Sequence, residues 1–207
     1  MSLLKASKSV VKDCLRVKEG EEVLIIVDAK SRKIGESLYE VCRGVKAEAI
    51  LAEIVERDLH GAEPPKVIAE AMKHATVVIA PTTKSLSHTE ARHKATQAGA
   101  RIATMPGITE EMMIRTMSSD YTGIADLSKR VAESLSKGKI ARVTSPAGTD
   151  ITMSIDGRDG LPDTGMLHSP GAFGNLPAGE AFIAPVEGSA NGRIVIDGAM
   201  AGVKELD

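Results

Sequence analysis

Apolar and polar residues follow one another along the first two thirds of the chain in blocks that predict alternating strands and helices. Residues 23–28 and 76–81 are short continuous apolar runs, which are typical of strands buried on both faces of a sheet. Two further apolar runs predict strands at residues 49–55 and 100–104. The segments between these runs carry apolar residues at helical spacing, so they predict covering helices.

Helix boundaries are marked by residues that satisfy free backbone groups. The predicted helices cover residues 3–17, 32–43, 64–74, 87–99 and 120–137, and a further helix is predicted to begin at Thr109. Ser87 and Glu90 have the spacing of a capping box, in which the hydroxyl and the carboxylate each accept a backbone N–H. Thr109 precedes two glutamates and is expected to cap the next helix.

Strands that alternate with helices predict a parallel sheet with helices on both faces, so the fold class is α/β. The pattern changes after residue 138, where the helical period stops and short strands, glycines and prolines follow. We therefore predict an α/β domain at residues 1–138 and a β-rich segment at residues 139–207. Residues 139–157 predict a hairpin, and residues 181–185 and 192–200 predict further strands.

Composition excludes several classes of function. Only 2% of the 207 residues are aromatic and the net charge is −2, so neither base stacking nor a basic footprint for nucleic acid is expected. Residues 1–17 are interrupted by charged side chains and have no apolar run long enough for a signal peptide or a membrane span. Cys14 and Cys42 lack metal-binding spacing, which favours reduced thiols in a cytoplasmic protein. The fingerprints of nucleotide-binding loops are absent as well.

The stretch from Ser169 to Pro185, with the sequence SPGAFGNLPAGEAFIAP, holds the leading candidate for a functional side chain. Glu180 is its only acidic residue and stands between a loop rich in glycine and proline and a short apolar run. A carboxylate on a stiff loop-to-strand junction suits a hard cation. The competing interpretation is a solvated glutamate at the start of a strand.

Other candidates carry a weaker signal. Asp159, Asp163 and His168 share the long loop before Glu180 and could in principle add oxygen and nitrogen ligands, although a surface loop is favoured. His88 and His93 lie five residues apart and do not share a helix face as metal-binding pairs do. Asp28 ends the first strand, where a structural cap on the next helix is favoured over a ligand. Ser145 and Ser169 have no histidine or aspartate arranged around them as a serine hydrolase requires.

Three stretches resemble the aminopeptidase T family of dinuclear-metal aminopeptidases: SHTEARHKATQAGARIATMPGITEEMMIR, GTDITMSIDGR and GNLPAGEAFIAPVEGSANGRIVIDGAM. The resemblance covers the chain from about residue 80 onward and, more loosely, the sheet before it. It implies an α/β N-terminal part and identifies Glu180 as the first ligand of a metal pair. The other ligands of the family lie further downstream, so the resemblance implies that this chain corresponds to the N-terminal two thirds of the pattern.

The leading hypothesis is therefore a metalloaminopeptidase that releases N-terminal amino acids from peptides with two divalent ions of zinc, cobalt or manganese. On this reading the 207-residue chain alone is expected to be inactive. The expected partners are the N-terminus of a peptide substrate and a second copy of the chain, in a homodimer.

Two alternatives remain open. The first is an iron-dependent ring-cleaving dioxygenase of the 2,5-dihydroxypyridine type, which is similar to these peptidases in fold and requires two histidines and one carboxylate. The second is a scaffold or dimerisation module that carries no competent site.

Overall fold

The computed structural model describes residues 2–198 and shows a mixed α/β protein. Its strands are β1 (Glu22–Val27), β2 (Glu48–Glu53), β3 (Val77–Ala80), β4 (Arg101–Thr104), β5 (Ile140–Thr144), β6 (Asp150–Ser154), β7 (Leu161–Asp163), β8 (Phe173–Asn175), β9 (Glu180–Phe182) and β10 (Asn191–Arg193). Its α-helices are α1 (Leu3–Lys8), α2 (Arg32–Gly44), α3 (Lys66–His74), α4 (Glu90–Gln97), α5 (Glu110–Met117) and α6 (Tyr121–Lys137).

Five strands form one parallel sheet in the order β2-β1-β3-β4-β8. The prediction of a parallel sheet is confirmed, and each of the four predicted strands is found within two residues of its expected bounds. The fifth strand, β8, was not predicted. Its residues, FGN, lie within the glycine-rich stretch before Glu180, and two of the three are only partly buried, so no apolar run marked them.

Successive side chains of the central strands are buried alternately in two separate apolar clusters, one on each face of the sheet. Val23, Ile25 and Val27 of β1 point to one face, which α1, α2 and α5 cover. Leu24 and Ile26 point to the other face, which α3 and α4 cover. This two-sided burial explains the continuous apolar runs in the sequence, because each successive side chain enters one core or the other.

The N-terminal helix differs in form from the prediction. One amphipathic helix was expected over residues 3–17, whereas α1 ends at Lys8 and a π-helical segment follows at Ser9–Cys14. In that segment the N–H of Leu15 donates to the carbonyl of Val10, five residues back. The wider turn is compatible with the burial of Val10, Val11, Cys14 and Leu15 in the first cluster.

The start of α4 corrects the predicted capping box. Thr89, and not Ser87, is the N-cap residue, and its hydroxyl accepts the N–H of Arg92. The carboxylate of Glu63 accepts the N–H groups of Glu90 and Ala91 from outside the helix. Ser87 is buried and makes other contacts. The cap predicted at Thr109 is confirmed, since its hydroxyl accepts the N–H of Met112.

The predicted β-rich segment contains a three-stranded antiparallel sheet in the order β10-β6-β5 and a separate pair of strands, β7 and β9. β5 and β6 form the expected hairpin. The strand expected at residues 192–200 is shorter, since β10 ends at Arg193, and residues 199–200 lie outside the described residues.

The described chain divides into two compact units. Unit 1 comprises residues 2–125 and 163–179, and unit 2 comprises residues 126–162 and 180–198. The division differs from the predicted boundary at residue 138, because residues 163–179 return to add β8 to the parallel sheet of unit 1. None of the helices in the described part of the chain is long and apolar enough to cross a membrane.

Candidate functional site

The parallel sheet reverses its strand order at β1, which lies between β2 and β3. In open α/β sheets, the crevice outside the carboxyl ends of the strands at such a reversal is the usual place for a ligand. A cleft of about 490 Å³ opens there in unit 1, and Lys30, Thr83 and Glu110 contribute to its lining. Its charges are already paired: Lys30 contacts Glu56, and Glu110 contacts Lys33.

Asp28 lies beneath this cleft and is almost completely buried. Its carboxylate accepts the N–H and the hydroxyl of Thr83 at 2.5 and 3.0 Å, the N–H of Lys30 at 3.2 Å and the hydroxyl of Ser31 at 3.3 Å. The prediction that Asp28 caps the next helix is corrected, because Ser31 occupies the N-cap position of α2. Asp28 instead joins the loop after β1 to the loop after β3, and its oxygens are occupied by those contacts.

A second polar group at the carboxyl edge consists of Ser85, Ser87, Thr104 and Asn175, which we call the hydroxyl cluster. The hydroxyl of Ser85 donates to Ser87 at 2.9 Å, and the hydroxyls of Ser87 and Thr104 lie 2.8 Å apart. Ser87 and Thr104 each donate their single hydroxyl proton to the side-chain oxygen of Asn175, at 2.9 and 2.5 Å, so the contact between the two hydroxyls holds no proton of its own. The cluster therefore connects the loop after β3 with the ends of β4 and β8.

The hydroxyl cluster was not predicted from the sequence. Thr104 and Asn175 stand at the carboxyl ends of adjacent strands, and that position would have been a usable signal. It could not be used for Asn175, because β8 itself was not recognised as a strand.

The segment from Asn175 to Gly179 leads directly to Glu180 and is held at several points within unit 1. Leu176 is buried, and its N–H donates to the carbonyl of Thr104 at 2.9 Å. The N–H of Ala178 donates to the hydroxyl of Tyr121 at 3.3 Å. Gly179 has φ +130°, and a Cβ there would lie 2.7 Å from the side chain of Ile124. A side chain at position 179 is therefore excluded by conformation and by space.

Tyr121 is held in place by its surroundings. It is 2% exposed, and its hydroxyl donates to the sulfur of Met117 at 2.9 Å. Burial raises the pKa of Tyr121 to about 12, although the N–H of Ala178 works in the opposite direction. The phenol thus stays neutral at neutral pH, and its oxygen supports the loop by accepting the N–H of Ala178.

Glu180 is the first residue of β9 and is exposed. Its assignment as a metal ligand stays a prediction. Within residues 2–198, no three His, Cys, Asp or Glu side chains lie close enough together to hold a metal ion. The described residues therefore offer Glu180 as one carboxylate and do not form a complete metal site.

The other sequence candidates have local surroundings of their own. A ring nitrogen of His168 lies 2.7 Å from the carbonyl oxygen of Asp13, at the end of the π-helical segment. Asp159 is exposed, and Asp163 accepts the N–H of Gly165 at 3.4 Å. His88 is exposed and precedes the cap of α4, and His93 faces Gln97 on the surface of the same helix.

Both cysteines are fully buried in unit 1 and make no disulfide. Burial, and to a smaller extent the charge of Asp13, raises the pKa of Cys14 to about 12. Burial alone raises the pKa of Cys42 to about 12. With these raised pKa values neither thiol forms a thiolate by itself at neutral pH, so neither is activated as a nucleophile.

Two solved structures share the fold of this chain. The structure of 2,5-dihydroxypyridine dioxygenase from Pseudomonas putida KT2440 matches with a TM-score of 0.71 at 19% identity, over 92% of this chain and 58% of that chain. Wild-type AmpT from Thermus thermophilus matches with a TM-score of 0.60 at 15% identity, over 92% and 63%. At these identities the likeness shows the fold, and this chain spans less than two thirds of either protein.

No curated protein matches the chain. The match to a family model is more specific than the structural likeness, because it compares the sequence itself. The model described as NicX, 2,5-dihydroxypyridine 5,6-dioxygenase, matches residues 2–200, which is nearly the whole chain. The resemblance to aminopeptidase T is supported only by the more distant structural neighbour. The chain therefore belongs to the NicX family of 2,5-dihydroxypyridine 5,6-dioxygenases.

Proposed function

We propose that this protein takes part in the oxidative opening of a dihydroxypyridine ring, as a ring-cleaving dioxygenase. The observation that carries the proposal is the match of the NicX family model to residues 2–200. The fold shared with the dioxygenase from Pseudomonas putida supports it. This activity was the alternative in the sequence analysis, and the comparisons favour it over the aminopeptidase that stood first.

A divalent metal is part of the proposal, and iron is the metal that a site of two histidines and one carboxylate holds in non-haem oxygenases. Glu180 is the carboxylate that the described residues offer. The described residues do not bring three ligand side chains together. Zinc, cobalt or manganese, and a pair of ions, belong to the aminopeptidase alternative.

The test uses the protein as its gene encodes it, supplied with Fe(II) without oxygen and then mixed with 2,5-dihydroxypyridine and O₂. We expect consumption of one O₂ for each ring lost, with both atoms of ¹⁸O₂ recovered in the opened product. In parallel, aminoacyl anilides are offered with zinc, cobalt or manganese. Hydrolysis of the anilides without ring opening would overturn the proposal in favour of the aminopeptidase.

The separate expectation that the 207-residue chain alone is inactive stays a prediction. It is checked by running the same two assays on the chain as printed. Turnover near the usual enzyme median of about 10 per second would contradict it.

A further inference from the structure

We propose that Asn175 is a positioning residue, which fixes the segment carrying Glu180 by accepting two buried hydroxyl groups. The inference rests on the proposed function in one respect, namely that Glu180 serves the reaction. It rests otherwise on contacts within unit 1, and nothing in the family match assigns a role to Asn175.

Asn175 is the last residue of β8 and therefore the last point at which this segment belongs to the parallel sheet. β8 is only three residues long, so its backbone hydrogen bonds alone give a weak hold. The side chain of Asn175 adds to that hold by reaching the end of β4 and the loop after β3.

The two hydroxyls that Asn175 accepts are far from water. Ser87 is 2% exposed and Thr104 is 1% exposed. Asn175 itself is exposed, but its side-chain oxygen is the acceptor at the end of the buried hydroxyl chain, and a buried hydroxyl that loses its acceptor costs about 1–3 kcal/mol. Ser85 donates to Ser87 in turn, so the hydroxyls form a chain whose members polarise one another.

Further anchors follow along the same segment, one on β4 and two on the start of α6. The N–H of Leu176 is held by β4, the N–H of Ala178 by Tyr121, and the backbone of Gly179 packs against Ile124. Glu180 is the next residue. Its carboxylate therefore begins from a backbone whose preceding residues have little freedom, and Asn175 is the first of these anchors.

The test compares Asn175→Ala, Asn175→Asp and a control, Ser7→Ala, in the protein as its gene encodes it. Ser7 is also buried and its hydroxyl lies 2.8 Å from that of Ser37, but this pair joins α1 to α2. Ser7→Ala therefore removes a comparable buried hydrogen bond without touching the Glu180 segment. Amide hydrogen exchange is measured at Leu176 and Ala178.

We expect Asn175→Ala to accelerate exchange at both amides by about tenfold, the factor that corresponds to about 1.4 kcal/mol. Ser7→Ala is expected to leave these two amides unchanged. Asn175→Asp keeps an oxygen where both hydroxyls donate, so it is expected to restore slow exchange. Unchanged exchange in Asn175→Ala would overturn the proposal. Exchange that stays rapid in Asn175→Asp would overturn it as well, because it would show that Asn175 presents its NH₂ group, and not its oxygen, to the two hydroxyls.

Ring-opening kinetics supply the second measurement. Asn175→Ala is expected to lower kcat about tenfold or more with little change in KM, as outer partners of site residues commonly do, and aspartate is expected to restore it. A kcat unchanged in a variant with rapid exchange would overturn the positioning role while the proposed function stands. Absence of ring opening in the unmodified protein would instead count against the proposed function, and the exchange data would still decide whether Asn175 anchors the segment.

Discussion

The two units of this protein bury their apolar residues very differently. Unit 1 packs both faces of a parallel sheet, and both apolar clusters lie entirely within it. In the described part of unit 2, the buried apolar side chains are Ala132 and Ile155. Its large exposed apolar side chains are Leu127, Val131, Ile140, Val143, Leu161, Phe182, Ile194 and Ile196.

The difference between the two units shows that an alternating strand pattern can form a sheet without burying its apolar face. The sheet of β10, β6 and β5 has one polar face, which carries Arg142 and Asp150, and one apolar face, which carries Val143 and Ile151. Val143 remains 51% exposed on that apolar face. The alternation of apolar and polar side chains is sufficient to form this sheet, but the sheet gains stability only when a second layer packs against its apolar face. We therefore expect unit 1 to dominate the stability of the chain.

The largest expected effect comes from matched isoleucines in the two units. Ile102 in β4 is fully buried, whereas Ile140 in β5 is 70% exposed. Ile102→Ala is expected to lower the free energy of unfolding by about 2–5 kcal/mol, and Ile140→Ala by about 0.5 kcal/mol or less. Urea denaturation followed by circular dichroism measures both. Equal losses would show that unit 2 is packed as well as unit 1.

Next in size is the contrast between two bidentate ion pairs. Arg101 donates to both oxygens of Glu21 at 3.1 and 2.7 Å, and their side chains are 8% and 17% exposed. Arg142 and Asp150 make the same arrangement in unit 2 with both side chains more than half exposed. Arg101→Met is expected to cost about 3 kcal/mol because it leaves a largely buried carboxylate unpaired, and Arg142→Met is expected to cost much less.

The same pair predicts a dependence on pH. Burial by itself raises the pKa of Glu21, but hydrogen bonds from Arg101 and the Lys18 N–H, with the charge of Arg101, lower it overall. Because the folded pKa lies below the unfolded one, the stabilisation is complete above about pH 4.3 and is lost as the pH falls through the folded value. Glu21→Gln is expected to flatten this part of the stability profile. A profile unchanged by Glu21→Gln would contradict the assignment.

The fold of unit 1 could be predicted because burial on two faces leaves continuous apolar runs, as in β1 and β3. β8 could not, because a short strand at the sheet edge is specified by pairing with β4 and not by its own residues. The same limit explains why the cap predicted at Ser87 was wrong. Its hydroxyl contacts Thr104 and Asn175, which are distant in sequence, and does not cap α4. Glu180 was identified from its local sequence, whereas the contacts that hold its loop depend on the tertiary structure.

The smallest expected effect on stability concerns association through unit 2. The apolar face of its antiparallel sheet, formed by Ala141, Val143, Ile151 and Met153, is incompletely covered in the described structure. An uncovered apolar face favours association, and the homodimer expected from the sequence stays a prediction. Val143→Lys places a charge in the middle of this face, so it is expected to weaken self-association at least about tenfold, or about 1.4 kcal/mol, while the unfolding of unit 1 changes little. Sedimentation over a range of micromolar concentrations measures the association, with Ile140→Lys on the opposite face as the control. A monomer at every concentration, or equal effects of the two lysines, would contradict association through this face.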